Sequence, residues 1–211
     1  MNKTILKTGA VAGVLAFTAT VAFVIVQALQ LYGVLEFPTD ERLIYGTSLC
    51  IVVPYLFEML ALHYSTPHNK RFWSHAAVNF TVMYAVFVSI NYAVQLVTVI
   101  PSTLKGSLDE VRILQQTPRS MFWNFDALGY ICMGIATLAA IPVFPKVGFE
   151  RWVRFSFIAH GLTTILISIV YFSPNYSLRL LFLALPWAIT APMSMLLLAL
   201  MFKRNLQNVS A

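Results

Sequence analysis

Two carboxylic acids and one imidazole, Glu58, Asp126 and His160, stand inside long apolar runs of this 211-residue chain, with no Lys or Arg within those runs. An ionisable group held in hydrocarbon costs several kcal/mol unless it is paired, hydrated or neutral, so such groups mark ligand sites, proton relays or hydrogen-bonded helix joints. Spacing groups the rest of the polar inventory around them. Asn91, Gln95 and Thr98 are separated by four and three residues, and Asp126, Tyr130, Met133 and Thr137 repeat that pattern, so each set falls on one helical face.

Depth sorts these residues into two layers, because consecutive spans alternate in direction and each residue advances about 1.5 Å. Gln27, Gln95 and Asp126 come out roughly 10 Å to one side of the membrane centre, and Asn91 about half as far. That layer, Asp126 with Asn91, Gln95, Gln27 and Tyr130, is the expected ligand-binding set. Glu58 and His160 form the second layer, within about 2 Å of each other in depth. A carboxyl and an imidazole at one level could share a proton, which makes them the candidate catalytic acid and base of an intramembrane enzyme with a lipid-like substrate. Ser156, Thr164, Ser168 and Tyr171 extend a polar stripe from His160, and Tyr55 lies one turn from Glu58.

The elements that must carry these residues are transmembrane helices. Crossing a hydrocarbon core about 30 Å thick takes about 20 largely apolar residues, and six runs, at 9–31, 43–63, 76–100, 121–144, 155–173 and 180–202, reach or approach that length. The composition agrees, with 59% hydrophobic and only 10% charged residues, against about one quarter charged in soluble domains. The expected fold is an all-α integral membrane protein, a six-helix bundle in a single membrane domain over 1–211. The first run is too long for a signal-peptide core and is kept as a helix. Pro38, Pro67, Pro101, Pro118, Pro142, Pro145 and Pro174 punctuate the loops, and Pro54 and Pro192 fall inside helices.

Orientation follows from the basic residues. Lys3, Lys7, Lys70, Arg71, Lys146, Arg151, Arg154, Lys203 and Arg204 fall on the side of the termini, against Arg42, Lys105, Arg112, Arg119 and Arg179 on the other. A nine to five excess places both termini in the cytoplasm. The net charge of +6 is thereby read as topogenic rather than as a nucleic-acid surface. Trp73, Trp123, Trp152 and Tyr32 sit near helix ends as interfacial anchors, while Gly9, Gly13, Ala16 and Thr20, and Ala136 with Ala140, form small-residue stripes suited to close helix approach. The segment Ser107, Leu108, Asp109, Glu110 reads as a capping box before a short amphipathic helix.

No retinal lysine, nucleophile elbow, zinc motif or pair of facing haem histidines is present, and Cys50 and Cys132 read as small apolar residues, so no cofactor, metal or redox role is expected. Three functions fit these residues. The leading one is a bundle with an outward-facing polar pocket that binds or transports a small molecule. The others are the intramembrane enzyme and a non-catalytic subunit or assembly factor, partnered by the bilayer and by another membrane protein or a second copy of itself.

Overall fold

A computed structural model describes residues 2–210, and every regular element in it is helical. Six helices are long and apolar enough to cross a membrane. They are α1 (Lys3–Leu31), α2 (Thr39–Ser65), α3 (Arg71–Val94, continued by turns over Gln95–Val99 and Ile100–Leu104), α4 (Met121–Ala140), α5 (Glu150–Phe172) and α6 (Leu185–Ser210). Six helices of this length and composition are compatible with a multi-pass membrane protein. Large apolar side chains such as Val11, Leu15, Val53, Phe57, Ile165 and Ile189 stay exposed on the outside of the bundle, where lipid rather than water is the matching solvent.

Local chemistry sets the helix ends. The Asn2 side chain accepts from the Thr4 backbone N–H at 2.9 Å, which starts α1 earlier than hydropathy alone suggests. Gly33 and Gly106 adopt φ of 69° and 74° just past α1 and α3. There Val34 N–H reaches back to Leu29 O at 2.9 Å and Ser107 N–H to Ser102 O at 3.0 Å, closing both helices with the left-handed turn that glycine adopts without a Cβ penalty. Two residues read above as topogenic charge also close a helix. Lys70 Nζ donates to Val143 O at 3.1 Å and Arg154 to Ile141 O at 2.7 Å, placing cations on the carbonyls at the end of α4.

Pro101 does not end α3 as expected. A proline ring clashes with the carbonyl four residues back and offers no N–H, and the chain answers with a π turn over Gln95–Val99, where Ile100 N–H bonds five residues back to Gln95 O. The helix then continues to Leu104. The capping box at Ser107 is also not formed: its side chain makes no cap bond, and Leu108–Val111 is one helical turn followed by a 3-10 turn over Arg112–Leu114.

The helices pack as a closed ring in chain order, each against the next, with α6 returning to α1. Small residues set the close approaches. A Cβ on Gly9 would come within 2.7 Å of Phe202 Cδ2 and 2.9 Å of Ala61 Cβ, so α1, α2 and α6 meet at that level and both termini lie at one face of the bundle. On α4, a Cβ at Gly134 would overlap Thr164 Oγ1 of α5 and lie 3.0 Å from its Cβ. Threonine is stiff at χ1, so Gly134→Ala is expected to destabilise the chain by about 2 kcal/mol. Thermal unfolding in detergent checks this, with Thr164→Ala in the same chain restoring most of the loss.

Candidate functional site

The site builds outward from Asp126, on the second turn of α4 in the half of the bundle away from the termini. Tyr92 Oη of α3 donates to Asp126 Oδ1 at 2.6 Å, and Tyr171 Oη of α5 donates to Asp126 Oδ2. Asp126 is 4% exposed, with both carboxyl oxygens bonded by phenols from the two helices that flank α4 in the ring. Tyr130, one turn further along α4, places its hydroxyl 3.5 Å from that of Tyr92, a marginal bond. Rings enclose the group: Tyr45 lies 5.3 Å from Tyr92, Trp123 4.5 Å from Tyr171, and Trp187 5.1 Å edge-on from Tyr130. Aromatic pairs in this range add stability beyond the area they bury.

Asn91 and Gln95 face the loop that follows α3 rather than an open pocket. Gln95 Nε2 donates to Leu114 O at 2.7 Å and Gln95 Oε1 accepts from Gln116 N–H at 3.2 Å, while Asn91 Nδ2 donates to Gln116 Oε1 at 3.0 Å. The two amides, 0% and 2% exposed, pin residues 114–116 over the end of α3. The π turn that accommodates Pro101 begins at Gln95.

On the other side of Tyr130 and Tyr171 lies a hollow of about 200 Å³ between α1, α4, α5 and the start of α6. Its walls are mostly apolar, with Phe23 of α1 and Trp187 of α6 set edge to face at 5.6 Å. Gln27, Tyr130 and Tyr171 supply its polar side chains besides the indole of Trp187. Gln27 is tethered: its Nε2 donates to Gln30 Oε1 at 2.9 Å, and Gln30 Nε2 donates to Asp40 Oδ2 at 2.8 Å at the start of α2. Of the five residues expected to bind a ligand, Gln27 and Tyr130 therefore line the hollow. Asp126 stands behind its wall, joined to it through Tyr171, and Asn91 and Gln95 serve the loop.

Glu58 and His160 are both buried but are not partners. His160 Nδ1 lies 3.2 Å from Thr190 Oγ1 of α6, and that hydroxyl donates to Pro186 O at 2.9 Å. The ring nitrogen facing away from Thr190, Nε2, has no hydrogen-bond partner. Glu58 belongs to α2, which is not a ring neighbour of α5, and neither of its carboxyl oxygens has a hydrogen-bond partner. Equal depth did not bring them together because helices 2 and 5 of a six-membered ring in chain order lie opposite one another. Among the described residues no group of three or more His, Cys, Asp or Glu could hold a metal ion. His63 of the basic end of α2 instead bonds Ser74 at 2.9 Å, and its ring lies tilted 5.5 Å from that of His75.

Tyr92, Trp187 and Gln116 are the site residues that sequence reasoning missed. A signal for the first existed: Thr81, Tyr84, Val88 and Tyr92 are all buried at spacings of three and four along α3. Compared with known proteins, the chain matches no family model, no curated protein and no solved structure.

Proposed function

We propose that this multi-pass membrane protein binds a small, largely apolar molecule in the hollow bounded by α1, α4, α5 and α6, and passes it into or across the bilayer. The observation that carries the reading is the composition of that wall: an apolar chamber with a few convergent polar groups, one of which, Tyr171, is hydrogen-bonded to a buried acid. Gln27 and the hydroxyls of Tyr130 and Tyr171 orient the ligand, and Asp126 fixes Tyr171 so that its ring and oxygen present one geometry.

A phenyl diazirine photoprobe tests this on the full chain in bilayers. Labelling of Tyr130, Tyr171 and Trp187 is expected to be saturable and competed by unlabelled small aromatic compounds. Ala28→Phe and Ala188→Phe, which fill the hollow from α1 and α6, should remove the saturable part while leaving labelling of the outer surface unchanged. Labelling that is non-saturable and indifferent to both variants would refute the chamber as a binding site. It would favour a second reading, a non-catalytic subunit in which Asp126, bonded on both oxygens, only fastens helices.

The orientation we propose is cytoplasmic for both termini, on the excess of Lys and Arg at that face. With Cys50 and Cys132 replaced by alanine, Lys105→Cys in the loop after α3 is expected to react with a membrane-impermeant maleimide added to intact cells, and Lys203→Cys only after lysis. The reverse pattern would invert the topology.

A further inference from the structure

We propose that Glu58 is a proton-binding site, separate from the chamber, whose carboxyl group takes up and releases a proton as the seam between α1, α2 and α6 closes and opens. The side chain is 0% exposed, and neither oxygen has a hydrogen-bond partner. It is nonetheless closely housed. A Cβ on Gly13 of α1 would overlap Glu58 Oε1 and lie 2.8 Å from its Cδ and 2.7 Å from the Cβ of Ala199 on α6. The carboxyl group thus fills the room that the missing glycine side chain leaves, between three helices.

No opposite charge meets it there. On α1 the nearest basic residue in sequence is Lys7, and on α6 it is Lys203; both are exposed. On α2 the neighbour is Tyr55, buried one turn away, and from α3 Tyr84 stacks edge-on against Tyr55 at 5.7 Å. His63, further along α2, is engaged by Ser74. A carboxylate confined among apolar groups and two phenols, with no cation and no donor on its oxygens, carries a desolvation cost that closed packing cannot offset. The closed seam therefore holds the acid with its proton on. Releasing the proton requires a counter-ion or water at the carboxylate, and Gly13 and Ala199 leave space for neither until the helices part. The closed form binds one proton more than the open form, so raising the pH favours opening and lowering it favours closure. The site differs in this from Asp126, whose two oxygens accept phenolic protons in the described structure.

Two readouts on the reconstituted full chain test the site. One is the infrared carbonyl band of a protonated carboxyl group, assigned to Glu58 by its loss in Glu58→Gln, and the other is the distance between spin labels at Thr8→Cys on α1 and Lys203→Cys on α6. The band is expected to vanish and the distance to lengthen together from acidic to alkaline buffer in the chain that keeps Glu58, while Glu58→Gln keeps the short distance throughout. A band that persists at every pH, a distance that lengthens without loss of the band, or a label distance in Glu58→Gln that still follows pH would each overturn the proposal.

Discussion

Asp126→Ala is expected to lower stability by about 3 kcal/mol, because it strands two phenols at once, the buried one of Tyr92 and the half-buried one of Tyr171. Each hydroxyl that loses a buried acceptor forfeits about 1–3 kcal/mol. The average helix-to-helix hydrogen bond in a bilayer is worth less, about 0.6 kcal/mol, since the separated helices also find partners. The larger figure applies here because Tyr92 and Tyr171 come from different helices and share one acceptor at 4% exposure, and the hydroxyl nearest Tyr92 otherwise, that of Tyr130, stands at a marginal 3.5 Å. Asp126→Asn keeps the volume and one acceptor oxygen, and about 1 kcal/mol of loss is expected. Detergent unfolding of both variants checks the ordering. In the proposed function, Asp126→Asn also weakens photoprobe binding far more than it weakens folding, since Tyr171 loses its anchor at the chamber wall; losses that track each other would reduce Asp126 to a helix fastener.

Gly13→Leu should have the other large effect, above about 3 kcal/mol, the upper end of what over-packing costs in a closely fitted interior. The obstacle is more than a flexible chain end. A Cβ at this position already lies 2.7 Å from Ala199 Cβ and 2.8 Å from Glu58 Cδ, so a branched side chain must part α1 from both neighbours. Gly13→Ala is expected to fall between wild type and leucine, and Gly46→Ala, where a Cβ meets nothing within 4 Å, should be close to neutral. Equal melting temperatures for Gly13→Leu and Gly46→Ala would remove the close three-helix seam.

Hydropathy made the six spans legible, because a helix that must shed its backbone polarity into hydrocarbon announces its length directly. Their polar faces were legible only while the helical period held. Asn91 and Gln95 are both buried as the four-residue step demands, but the wider π turn rotates less per residue after Gln95, so Val99 takes the inner face at 4% exposure in place of Thr98. The order of helices around the ring carries no periodic signature at all. Depth therefore grouped Glu58 with His160 across the ring, and passed over Trp187, which reaches Tyr130 from α6 across the chamber. Gln116 lies in the loop after α3, where hydrophobic periodicity offers no guide.

The ring in chain order also prescribes how the molecule is assembled during synthesis. Each newly inserted helix finds its docking partner already in the membrane as its immediate predecessor, at a small loop-closure cost. The return of α6 to α1 is the major exception, a contact made only when the last span has left the ribosome. Until then the α1–α2 hairpin exposes the side of Gly13 and Glu58 that Ala199 later covers. A chain that stops short of α6 therefore leaves the Glu58 side of that hairpin uncovered, and α6 is the element that seals it.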